Sequence, residues 1–137
     1  MIRTIAALAL LAGPIPASAQ RAPSWEGIWR NGSNSVRIKA ARCGAGQGSG
    51  MCGRVVWASP KAQDDAARGG TARLVGTELF HDFRRDDDGL WYGQVYVPDI
   101  DKTFDGTIEL VDRNTLVGKG CLLGNIACKT QTWKRVR

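Results

Sequence analysis

Thr103-Phe104-Asp105-Gly106-Thr107-Ile108-Glu109-Leu110-Val111 alternates more cleanly than any other stretch of this chain. Phe104, Gly106, Ile108 and Leu110 fall on one face; Thr103, Asp105, Thr107 and Glu109 fall on the other. A period of two with one apolar face marks a strand that has a core on one side and water on the other. Downstream, Arg113-Asn114 reads as a tight hairpin connection, and Thr115–Leu123 and Cys128–Val136 as two more strands. Upstream, Leu90–Val97 is rich in aromatic and β-branched residues and is ended by Pro98. Asp86-Asp87-Asp88-Gly89 is the turn before it, and Leu74–Phe83 the preceding strand.

Residues 59–72 break the pattern. Ser59 is an N-cap residue, Pro60 suits the first helical position, and Gly69-Gly70 would stop a helix, so Pro60–Arg68 reads as a short helix or a loop. Before it, Trp25–Arg30, the stretch holding Val36, Ile38 and Ala40, and Met51–Ala58 form a three-stranded meander, with Asn31-Gly32-Ser33-Asn34 as its first turn. The sum is about eight antiparallel strands, almost no helix and no internal repeat. Such spacing fits a sandwich or an up-and-down barrel. Closure removes exposed edges and favours the barrel. An eight-stranded barrel is just wide enough for side chains or one small ligand.

The 137 residues open with Arg3, an apolar run Ile5–Leu11 and the small-residue site Ala17-Ser18-Ala19. This is the order of a secretory signal over residues 1–19, with a mature single domain over 20–137. The run is too short to span a bilayer, so no transmembrane anchor is expected. Loss of Arg3 lowers the formal net charge from +6 to +5. Outside the cytoplasm, acidic envelope polymers and lipid head groups, not nucleic acid, are the partners open to a basic protein, and charges as scattered as these read mainly as solubilising. Arg84-Arg85 is followed by Asp86-Asp87-Asp88, so that cluster cancels itself.

Cys43, Cys52, Cys121 and Cys128 allow three pairings. Export favours disulfides over thiols, and local pairing, Cys43–Cys52 and Cys121–Cys128, is the simplest. Each bridge would contribute roughly 2–3 kcal/mol by constraining the unfolded chain. Neither spacing supplies the Cys-x-x-Cys of a zinc or redox site.

Gly27-x-Trp29, Cys52-Gly53-x-x-x-Trp57, Arg73-x-x-Gly76, Trp91-x-Gly93-x-x-Tyr96-x-Pro98, Lys102-Thr103-Phe104 and Thr130-Gln131-x-Trp133-x-Arg135 stand in this order. The ordered set resembles the secreted bacterial proteins grouped as domain of unknown function 2147. The resemblance implies a lipocalin-like barrel in the envelope, in the periplasm of a Gram-negative bacterium, with no assigned activity. Two departures stand out: Asp101 occupies a place where a glycine is usual, and residues 61–70 lack the usual asparagine-proline loop. The Gly-x-Trp start and late arginine also resemble lipocalins proper, which implies a closing group of Gly27, Trp29, Trp133 and Arg135, with the Arg135 guanidinium over the Trp29 indole.

Catalytic signals are poor. The one histidine, His81, has no nucleophile elbow to serve and no metal partners at ligand spacing. Asp86-Asp87-Asp88 reads as a solvated turn in preference to a calcium loop. The run Gly44–Gly50 fails the phosphate-loop pattern and reads as a hairpin tip. Asn31-Gly32-Ser33 matches a glycosylation acceptor and reads as a turn. No cofactor, metal or catalytic residue is therefore expected. Five tryptophans in one small domain is a generous number; most read as core or barrel plugs, and some as lining for a cavity beside a few polar groups. Trp57, Arg73, Trp91, Tyr96 and Gln131 are the candidate ligand-binding residues. The leading reading is a barrel that binds a small apolar or amphipathic molecule. The runner-up is a solid barrel whose loops meet a protein or anionic polymer; a hydrolase comes third. N-terminal sequencing of the exported protein should begin at Gln20, and recovery of intact Met1 from the periplasm would contradict the signal.

Overall fold

The computed structural model describes residues 12–14, 24–44, 50–123 and 126–136. The expected signal and its Ala17-Ser18-Ala19 site, residues 12–14 apart, lie outside the described residues, as do residues 45–49 of the glycine-rich run. Eight strands follow in order: β1 Gly27–Arg30, β2 Val36–Cys43, β3 Gly50–Ala58, β4 Glu78–Arg85, β5 Trp91–Val97, β6 Lys102–Asp112, β7 Thr115–Leu123 and β8 Ile126–Arg135. One helix, α1 Pro60–Arg68, joins β3 to β4. Each strand pairs antiparallel with its chain neighbours and β8 returns to β1, so the sheet closes as an up-and-down barrel and the sandwich is excluded.

The helix forms for the reasons its sequence gives. Ser59 Oγ accepts from the Ala62 amide at 3.1 Å, Pro60 fills the first turn, and the Gly69 amide caps the last carbonyls. Ala66 is its buried anchor. A Cβ on Gly69 would stand 1.8 Å from the Asp99 carbonyl, so only glycine lets the helix end meet the β5–β6 turn.

Strand limits differ from expectation where side chains take over from the ladder. Trp25 and Glu26 precede β1, their carbonyls receiving side-chain donors. Leu74–Thr77 is a turn, not the start of β4: Gly76 has φ 95°, and Thr77 Oγ1 donates to the Arg73 carbonyl at 2.6 Å. Both disulfides are local. Cys43–Cys52 staples the β2–β3 hairpin and Cys121–Cys128 the β7–β8 hairpin, with Cα atoms 5.7 and 4.0 Å apart.

One half of the barrel is filled. Trp29, Ile38, Met51, Val55, Phe83, Ile108 and Leu116 are the fully buried side chains of the core. Small residues opposite large ones make the fit: a Cβ on Gly53 would lie 2.6 Å from the Phe80 ring. Closure rests on a short seam, since β1 and β8 pair only at Trp29↔Arg135 and Arg30↔Lys134. The Val136 amide extends it, donating to the Ile28 carbonyl at 2.7 Å.

Arg135 reinforces this seam. Its guanidinium carbon lies 4.3 Å from the Trp29 ring centroid. Its Nε donates to the Arg113 carbonyl at 2.7 Å, Nη1 to the Glu26 carbonyl at 2.8 Å, and Nη2 to the Ser24 carbonyl. Trp29 Nε1 in turn donates to the Trp25 carbonyl at 2.9 Å. Stacking of this kind contributes ~0.5–2 kcal/mol. Trp29→Ala should cost ~3–5 kcal/mol, since it deletes a large buried side chain. Arg135→Lys should recover little of what Arg135→Ala loses, because a lysine cannot stack as a plane or reach three carbonyls. A double-mutant cycle by urea unfolding should give a coupling of ~1 kcal/mol or more between Trp29 and Arg135; additive losses would refute the latch.

Candidate functional site: the open end of the barrel

The end of the barrel away from Arg135 is open. A cavity of about 610 Å³ lies there, between α1, the β1–β2 turn, the end of β5 and the Gln131–Trp133 stretch of β8. Its floor is apolar: Leu74, Leu79, Phe80, Val95 and Trp133. Its rim is polar, with Asn31, Ser33, Ser35, Ser59, Lys61, Asp65 and Asp99. An apolar pocket of this size with a few polar groups is the usual anatomy of a small-ligand site.

Several rim groups are already occupied. Asn31 Oδ1 accepts from the amides of Ser35 and Val36 at 2.8 and 3.0 Å, and its Nδ2 donates to Ser35 Oγ. The amide that a glycosylation signal would require is thus spent on the turn. Lys61 Nζ lies 2.6 Å from Asp65 Oδ2, and Arg68 holds the other oxygen. The Lys61 hydrogen bond, helped by both positive charges, keeps the Asp65 carboxyl below the ordinary carboxylate range. That is the opposite of what a glycosidase general acid needs.

Of the five candidate ligand-binding residues, the cavity includes Tyr96 and Gln131. Trp57 lies on the outside, with the Arg37 guanidinium 5.0 Å from its ring centroid. The reason is a bulge: Arg37 pairs with Trp57 but Ile38 with Val55, leaving Val56 as an extra residue. Strict alternation after Met51, Gly53 and Val55 would turn Trp57 inward; the bulge turns it out. Arg73 is exposed in the α1–β4 connection. Trp91 is buried near the sealed end, edge-on to Trp25 at 5.3 Å. Trp133, expected in the closing group, sits on the cavity floor with its ring edge-on to Phe80 at 5.4 Å. Sequence reasoning missed Leu79, Phe80 and Val95, whose signal was only their place on alternating strands.

Other chemistry-bearing groups serve the fold. Asp86 Oδ1 accepts from the amides of Asp88 and Leu90, each at 3.0 Å, which makes the acidic run a turn. His81 Nδ1 lies 3.9 Å from Glu78 Oε1 on β4. Glu78 also approaches Cys43 and Cys52, but those sulfurs are joined to each other and offer no thiolate.

The open end and the family now meet. A closed eight-stranded antiparallel barrel, sealed by an arginine over a tryptophan and hollow at the far end, defines the class of protein. The family model described as an uncharacterized protein conserved in bacteria, domain of unknown function 2147, matches residues 27–135, and the chain belongs to that family. No curated protein and no solved structure matches it.

Tyr96 is held from two sides at the mouth. Its hydroxyl donates to Asp101 Oδ1 at 2.6 Å and lies 2.7 Å from Thr71 Oγ1, and Thr71 Oγ1 is 2.8 Å from the Pro98 carbonyl that it can donate to. Asp101 has φ 50°, the left-handed region that glycine favours and aspartate tolerates. The departure from the family's glycine thus keeps the turn and adds a carboxylate for Tyr96. That hydrogen bond raises the Tyr96 phenol above its ordinary value of 10.0, outweighing the opposite pull of Thr71. A raised value in the folded state means the linked stability is fully present below the unfolded value and is lost as pH rises through the folded one. The ultraviolet titration difference between the wild type and Tyr96→Phe should place Tyr96 ionisation above 10.0, and Asp101→Asn should bring it down. A value at or below 10.0 in the folded wild type would contradict the bond.

Proposed function

We propose that this protein binds one small apolar or amphipathic molecule in the open end of its barrel, outside the cytoplasm. The observation that carries this reading is the cavity of about 610 Å³ with an apolar floor and a polar rim. Pockets for small ligands span roughly 300–1,000 Å³, so the space suits one molecule. The two disulfides are compatible with an oxidising compartment, and among the described residues no helix is long and apolar enough to cross a membrane. We take that compartment to be the periplasm of a Gram-negative bacterium. The alternative of a solid barrel with loop-bound partners fits the filled half but leaves the hollow half without a role.

Nile red, a neutral apolar dye, serves as the probe. Its fluorescence should rise on mixing with the protein and saturate near one equivalent. Val95→Trp places an indole in the floor and should weaken binding about tenfold or more, the effect of losing ~1.4 kcal/mol. Native mass spectrometry of protein taken from its own host should show a mass excess that denaturation releases. A clean apoprotein mass together with no dye binding would overturn the reading.

A further inference from the structure

We infer that the ligand is a neutral acyl compound, an ester or amide, whose carbonyl oxygen accepts a hydrogen bond from Trp133 Nε1–H. This rests on the cavity being a ligand site and adds the chemistry that the site recognises. Trp133 is only 3% exposed, yet its indole N–H has no hydrogen-bond partner among the described residues. Buried indole donors ordinarily find one, as Trp29 Nε1 does at the other end. The Trp133 donor is not sealed in, because among the described residues no buried side-chain nitrogen or oxygen is left unsatisfied out of reach of solvent. Trp133 itself lines the cavity, as does Gln131, the ladder partner of the Gly118 that lies beside Nε1.

The barrel wall leaves room at this point. A Cβ on Gly118 would sit 4.0 Å from Trp133 Nε1, with nothing nearer than the Gln131 carbonyl at 3.8 Å. A Cβ on Gly120 would meet only the Asp105 carbonyl, at 3.9 Å. Neither glycine has a positive φ, so the backbone does not require glycine there. Gln131 pairs with Gly118 across the β7–β8 ladder and lines the same space, and its side-chain amide has no partner among the described residues. It supplies a second donor beside the indole.

Charge selects the kind of acceptor. The lining holds one cation, Lys61, already paired with Asp65, and a second carboxylate, Asp99. With no unpaired cation among the described lining residues, a ligand carboxylate would lose its hydration uncompensated. A neutral carbonyl can use both donors without that penalty, while Leu79, Phe80 and Val95 cover an apolar chain.

Three probes of matched chain separate these contributions: methyl octanoate, sodium octanoate and octane. Binding is followed by proton–nitrogen NMR of the nitrogen-15-labelled protein, with the Trp133 indole signal assigned by its loss in Trp133→Phe. Methyl octanoate should bind about tenfold more tightly than either of the others and should move the Trp133 indole proton downfield, as one added hydrogen bond would. Gly118→Val should fill the space beside Nε1 and abolish that shift while the other indole signals keep their positions. Equal binding of ester and octane with an unmoved Trp133 indole would overturn the acyl inference and leave the cavity reading intact. Tighter binding of octanoate would overturn the choice of a neutral acceptor. Binding of none of the three would overturn the inference and the cavity reading together. The indole shift is measured in the wild type, so the test stands even if Gly118→Val fails to fold.

Discussion

The barrel depends on a seam two residue pairs long. Every other strand pair shares a longer register, but β1 contributes four residues and meets β8 at Trp29 and Arg30 alone. A sheet left open there would expose two edges and the core between them. Arg135 compensates through its side chain. One planar cation covers the indole and ties together carbonyls from Ser24, Glu26 and Arg113, which belong to the segment before β1 and to the β6–β7 turn. Donors bound to carbonyls in a fixed fork give this residue a geometry that a lysine lacks.

With one end closed in this way, the interior divides along its axis. Near the seam, bulky side chains face one another with no spare volume, and glycine appears where an aromatic ring needs the space, as at Gly53 and Gly93. Toward the far end the same residue type has looser surroundings. At Gly118 and Gly120 no ring is pressed against the backbone, and an added Cβ would meet nothing nearer than 3.8 Å. The helix walls one side of the hollow, held by its Ser59 cap and by the contact of Gly69 with Asp99.

Much of this was legible in the sequence because it is local. Alternation over Thr103–Val111, the Ser59-Pro60 cap, the Gly69-Gly70 stop and the cysteine spacings each act over a few residues, and the strands, helix and local disulfides follow from them. The open end was less legible. Alternation assigns Trp57 to the interior, and a single extra residue, Val56, reverses it. Such a bulge depends on the partner strand, which a one-dimensional pattern does not contain. Trp133 was grouped with Arg135 through the resemblance to lipocalins; two residues along a strand is enough to carry it from the latch to the floor of the hollow. The Leu74 side of β4 read as strand because Leu74 and Val75 are apolar, while Gly76 turns the chain before pairing starts.

The short seam also fixes where the chain enters and leaves the barrel. The guanidinium of Arg135 touches the carbonyl of Ser24, so the segment ahead of β1 and the end of β8 lie side by side, at the end opposite the hollow. A tether, a fused domain or an immobilising tag on either terminus would therefore hold the barrel by its closed base, with the mouth facing away from the attachment.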